Sequence, residues 1–155
     1  MNTSTTSSSQ HPAESATLVE QLHNMRLSEG LSDRSLDVVY AMAYKWLMTG
    51  DFDKARAGFE VLFSQRPDVP AYAAGLANAA LNQGDADVAM SHFLLAVGMD
   101  ENNAGYMVGL GRAFRLCNLP GHARMAFQIA QEMGRGTDPA TADLARACLV
   151  MMGDA

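Results

Sequence analysis

The sequence predicts an all-α chain whose helices pair into hairpins and stack as a curved α-α superhelix. Three observations carry that prediction. From Leu36 to Arg135 the residues repeat at a spacing of 34, so that Phe59 is answered by Phe93 and Phe127, and Leu62 by Ala96 and Ala130. A small residue stands four positions before each Phe, at Ala55, Ala89 and Ala123. Turn residues recur on the same grid: Gly50 is followed by Gly84 and, more loosely, by Asn118.

Each residue type has a physical reason. Packed helices approach to about 8–10 Å, and only small side chains permit this where they cross. Ala43, Ala77 and Gly111 serve the first helix of each pair, and Ala55, Ala89 and Ala123 the second. A Phe four residues later lies on the same helical face and fills the adjoining space. Glycine at the end of the first helix supplies the left-handed turn that closes it. A period of 34 with this small-x-x-x-Phe pair resembles the tetratricopeptide repeat. Three repeats are expected, at about 36–69, 70–103 and 104–137. Pro67 closes the first, where Glu101 and Arg135 stand later.

Along the chain, residues 1–11 are rich in Ser and Thr, offer little to bury, and are expected to be disordered. Residues 12–153 then form a single domain. Residues 12–30 form an N-terminal helix with Leu18, Leu22 and Met25 on one stripe, Thr17 and Glu20 as a capping box, and Gly30 as its end. That stripe packs on the first repeat or on another molecule. Ser32 or Asp33 caps the next helix, which is apolar on more than one face from Leu36 to Met48 and so has a second surface to cover. Asp51 with Asp53, and Asp85 with Asp87, fall where second helices begin; carboxylates there complement the helix dipole, the alternative being a cation site. The middle repeat is Ala-rich from Ala71 to Ala80. A closing helix at 138–152 begins at Thr137-Asp138-Pro139, and its Leu144, Cys148 and Met151 are expected to cover the end of the third repeat.

Composition excludes several classes. A net charge of −6 with 11 scattered basic residues disfavours nucleic acid. No run approaches the roughly 20 apolar residues of a membrane span, and no secretory leader is recognisable, so stable membrane association is not expected. Cys117 and Cys148 lack metal-ligand or redox spacing and are expected as reduced packing residues. The 11 methionines suit an irregular core or an adaptable surface, with most expected in the core. His11, His23, His92 and His122 form no ligand pattern, and no nucleophile elbow, P-loop or zinc helix occurs. Neither a cofactor, a metal nor a catalytic centre is expected.

What remains is a groove. Resemblance to tetratricopeptide domains implies that positions 2, 5, 9, 12 and 13 of each repeat line the concave side. Counting gives Asp37, Tyr40, Tyr44, Leu47 and Met48, then Ala71, Ala74, Asn78, Leu81 and Asn82, then Gly105, Val108, Arg112, Arg115 and Leu116; of these, Tyr40, Tyr44, Leu47, Met48, Ala74, Asn78, Leu81, Val108 and Arg112 are expected to bind peptide. Two tyrosines four residues apart make an aromatic shelf, small residues leave pockets, and Asn78 can hold a backbone through donor and acceptor. Packed against the N-terminal helix instead, the tyrosines would leave the groove empty.

Local wording adds to the repeat: Gly75-Leu76-Ala77-Asn78 before Gln83-Gly84, then Ala89-Met90-Ser91-His92-Phe93 and Met99-Asp100. With the extra first helix, three repeats and a closing helix, the chain resembles the class II chaperones of bacterial type III secretion, the SycD/LcrH-like family. The resemblance implies a cytoplasmic bacterial protein that is not an enzyme and whose groove holds an extended segment of hydrophobic, pore-forming translocator proteins until export. It implies a homodimer when free, joined through the N-terminal helix at Leu18, Leu22 and Met25. A general interaction scaffold in pilus or envelope assembly is the alternative. The sparse aromatics of the middle repeat depart from the family pattern.

Overall fold

The computed structural model describes residues 11–26 and 30–153, with side chains of the first helix only from 17 to 25. The expected disordered tail therefore lies outside the described residues, apart from His11, and so does the end of the N-terminal helix. The described residues form eight helices: α1 (His11–Arg26), α2 (Asp33–Thr49), α3 (Phe52–Gln65), α4 (Pro70–Gln83), α5 (Ala86–Met99), α6 (Ala104–Leu116), α7 (Pro120–Gly134) and α8 (Pro139–Met152). The pairs α2/α3, α4/α5 and α6/α7 are the three tetratricopeptide repeats. They stack in order, with α1 packed against α3 and α8 against α7.

Local chemistry starts and stops each helix. Ser32 accepts the Ser35 N–H at 3.2 Å, Asn103 accepts that of Tyr106 at 3.2 Å, and Asp138 accepts that of Thr141 at 3.1 Å. Such caps contribute about 1 kcal/mol each. Gly50 and Gly84 end α2 and α4 with φ of 86° and 79°, and Asn118 takes the third turn at φ 56°. That region suits Gly first and Asn next.

The aspartate pairs divide their labour. Asp85 caps α5 by accepting the Val88 N–H, but Asp51 makes no such side-chain bond. Arg56 instead ties two repeats together, donating from Nη1 to Asp85 Oδ2 at 2.9 Å and to Gln83 Oε1 at 3.0 Å, while Gln83 donates to Asp53 at 2.6 Å. Among the described residues no group of three or more His, Cys, Asp and Glu side chains is placed to hold a metal ion.

Between repeats the register is set by aromatic rings on glycines. Phe59, Phe93 and Phe127 are 1%, 1% and 0% exposed. A Cβ built on Gly75 would lie 2.2 Å from the ring of Phe59, and one on Gly109 would lie 2.2 Å from that of Phe93. The rings of Phe59 and Phe93 therefore fill the space a missing side chain leaves on the following repeat, while Phe127 meets Gly111 within its own. Around this layer of Ala, Gly and Phe no described methionine is fully buried, against the expectation of a methionine-filled core. Small residues already occupy the helix crossings, so the flexible thioethers are left to the rim.

Three further expectations change. The Thr17–Glu20 capping box falls inside α1, because that helix already begins at His11. On α8 the buried face is Ala142, Ala145 and Cys148 with Leu149 and Met152 beside it, whereas Leu144 and Met151 are 53% and 76% exposed. The helix is apolar on both sides, and the third repeat covers the side with the smaller residues. Finally, Leu22 is buried in the core of the first repeat with Leu36, Val39 and Phe59, and Leu18 and Met25 pack against the same cluster. The stripe assigned to a dimer seam is thus covered by the chain's own first repeat. The outward residues of α1, Glu20, Gln21 and Asn24, are polar.

Candidate functional site

The concave side is lined by α2, α4 and α6, the first helices of the repeats. At one end of it Tyr44, Leu47, Met48, Asn78 and Arg112 converge, joined by Thr49, Gly50, Phe52 and Asn82, around a cavity of about 520 Å³. Five of the nine residues named as peptide-binding meet here, and Asn82 stands at a further concave position of the same count. Tyr44 and Met48 are 50% and 65% exposed, so the cavity has an open apolar wall.

Tyr40 is half-buried beside this cavity and anchors an aromatic cluster. Its ring stacks on Tyr44 at 6.3 Å, meets Phe59 edge-on at 6.1 Å and leans on Tyr72 at 5.7 Å. The tyrosines therefore pack on one another and on the repeat core, and Tyr44 keeps an open face. Tyr72 and Tyr106 extend the set and were missed, although they stand 34 residues apart on the same grid. Burial, then the carboxylate of Asp37, pushes the Tyr72 hydroxyl above its ordinary pKa. Burial, then Asp100 and more weakly Tyr40, does the same to Tyr106. Phe52 was also missed, since it opens α3 rather than standing at one of the counted positions of a first helix.

Ala74 and Val108 need correction. Both are 4% exposed and belong to core clusters, so each presents almost no surface to the groove. They share the repeat position of Tyr40, but only tyrosine is long enough to emerge from it. Leu81 is half-buried and packs on the core of the middle repeat. Asn78 is in place, with one qualification of its chemistry. Its Nδ2 donates to the Ala74 carbonyl at 3.0 Å, and the Nδ2 of Asn82 donates to the Asn78 carbonyl at 2.8 Å. With one N–H of each turned back onto α4, each amide keeps its oxygen and one N–H for other partners.

Several other polar groups have structural partners. A larger cavity of about 830 Å³ lies between α1 and α3, but its Asp53 and Arg56 are engaged in the inter-repeat network. His92 bonds the Val88 carbonyl through Nδ1 at 3.0 Å and rests on Phe63, while His122 rests on Phe114. Cys148 is buried and Cys117, with its thiol shifted upward by burial, donates weakly to the Ala86 carbonyl. No described helix is long and apolar enough to cross a membrane.

The sequence matches no protein-family model and no curated protein. Solved structures do match. PcrH of Pseudomonas aeruginosa, bound to the chaperone-binding region of PopD, superposes with a TM-score of 0.74 at 22% identity, over 79% of this chain and 94% of PcrH. This is the fold of the type III secretion translocator chaperones. SycD of Yersinia enterocolitica, in complex with a peptide of the translocator YopD, gives 0.70 at 18% identity over 78% of this chain and 94% of SycD. A chain of a type III secretion complex from Aeromonas hydrophila gives 0.73 at 17% identity and covers 92% of this chain and 95% of its own.

Proposed function

We propose that this chain is a cytoplasmic chaperone that takes an extended apolar segment of a pore-forming translocator into its concave groove and keeps it soluble until export. The observation that carries the reading is the open apolar wall of Tyr44, Leu47 and Met48 facing the polar side chains of Asn78 and Arg112 across one cavity. Support comes from the solved chaperones of this fold, which hold segments of PopD, PopB and YopD. The mechanism is masking. Apolar surface that would aggregate or enter the wrong membrane is sheltered, and no bond is made or broken. The free chain is a homodimer in this reading, with a seam on surfaces other than Leu18, Leu22 and Met25; a strictly monomeric mass in light scattering would remove that part.

The test is a double substitution confined to exposed side chains, Tyr44→Ala with Met48→Asp. Leu81→Asp is unsuitable, because a carboxylate beside the core would cost stability on its own. Co-expressed with a hydrophobic translocator, the wild-type chain is expected to yield a soluble complex. The double variant keeps its helical circular dichroism and loses roughly tenfold or more in capture, as a central aromatic anchor should. Undiminished capture by a folded double variant overturns the groove reading.

A further inference from the structure

The cavity holds an uncompensated charge. Arg112 is the one charged side chain among the described residues that line it. Elsewhere Arg56 holds Glu60 and Asp85, Arg66 holds Asp68, Arg135 holds Glu132, Arg146 holds Asp143, and Arg124 donates to the Gly153 carbonyl. In a chain of net charge −6, with 17 acidic residues to draw on, none lines the cavity opposite Arg112. Its guanidinium offers five donors in a fixed fork suited to a carboxylate.

The other walls narrow what can supply that carboxylate. Tyr44, Leu47, Met48 and Phe52 present apolar surface. Asn78 and Asn82 are uncharged amides, each with one N–H already spent on an α4 carbonyl, so neither offers an anion the full charge-assisted fork that Arg112 does. Successive side chains of an extended strand point to opposite faces. A guest whose apolar anchor faces the tyrosine and methionine wall therefore turns its next residue towards the opposite side.

We propose that Arg112 makes this groove selective for guest segments that carry an Asp or Glu directly beside an apolar anchor. This rests on the groove reading above and adds to it a charge requirement at a defined position. An all-apolar segment would be held by the walls alone, and a segment with a basic residue at that point would be rejected.

The experiment measures fluorescence anisotropy of the full chain with short labelled apolar peptides that differ only in Glu or Gln at successive positions around a Leu anchor. Next to the anchor, Glu is expected to bind about two- to fivefold tighter than Gln at ~0.1 M salt, the range of an exposed, partly screened charge pair. At ~1 M salt, where the screening length falls from about 10 Å to about 3 Å, the ratio should approach one. Arg112→Gln should abolish the ratio, and Arg112→Lys should retain part of it, since the charge survives and the fork does not. Equal affinity of the Glu and Gln peptides at every position, or a preference that survives in Arg112→Gln, overturns the inference while leaving the groove in place. Failure of every peptide to bind overturns the groove reading and the inference with it.

Discussion

The glycines under the phenylalanine rings yield a prediction whose sign is not obvious from sequence. In isolation, Gly→Ala inside a helix stabilises by about 1 kcal/mol, because it removes backbone freedom from the unfolded chain. At Gly109 in α6 the added Cβ would stand 2.2, 2.4 and 2.8 Å from three ring carbons of Phe93. Ordinary contacts begin near 3.4 Å, so the ring would have to retreat by about 1 Å. It has nowhere to go, being 1% exposed and enclosed with Ala77, Ala89 and Leu110. Overpacking of this kind costs about 1–3 kcal/mol, and a clash with three atoms of a rigid ring belongs in the upper part of that range. The propensity gain offsets about 1 kcal/mol, leaving Gly109→Ala destabilised by roughly 1–2 kcal/mol, or some 2–8 °C in a chain of this size. Gly98, near the end of α5, has nothing within 4 Å of its added Cβ, so Gly98→Ala should be neutral to slightly stabilising. Urea unfolding followed by far-ultraviolet circular dichroism compares the two. Phe93→Leu should cost less in the Gly109→Ala background than alone, as coupled neighbours do. A Gly109→Ala protein as stable as its parent would refute the claim that ring-on-glycine contacts set the spacing of the repeats.

Two further predictions address the ends of the stack and its aromatic cluster. Leu22→Ala removes the buried centre of the α1 stripe, a loss of about 2–4 kcal/mol at a core site. Hydrogen exchange should then show α1 losing protection while α4 to α7 keep theirs, and unchanged protection in α1 would contradict its docking. Tyr72 and Tyr106 have folded pKa values raised by burial, so their contribution is complete below about pH 10 and is lost as pH rises through the raised values. The urea midpoint should fall above pH ~10, and Tyr72→Phe with Tyr106→Phe should flatten that fall; a profile that both variants leave unaltered would show that the phenols do not resist ionisation.

Much of the site was legible because a tetratricopeptide groove is addressed by position along each first helix. Counting from the repeat start named Tyr44, Leu47, Met48, Asn78 and Arg112, which the structure brings around one cavity. Counting fails where reach decides, as at Tyr40, Ala74 and Val108, which share one backbone position but differ in length. It also fails where hydrogen bonding decides, as at Asn78, whose amide turns one N–H back onto its own helix.

By itself the order of residues determined the helix hairpins, their number, the left-handed turns at Gly50 and Gly84, and the burial of Phe59, Phe93 and Phe127. All of these follow from local geometry repeated at a fixed interval. Only the tertiary structure decided which side of α8 is covered, that the stripe on α1 belongs to the first repeat, and that Arg112 faces a cavity lined by no carboxylate. The reason is that a pattern fixes the direction of a side chain about its own helix axis. What stands opposite is supplied by other segments, and an apolar face can be buried against whichever of them arrives.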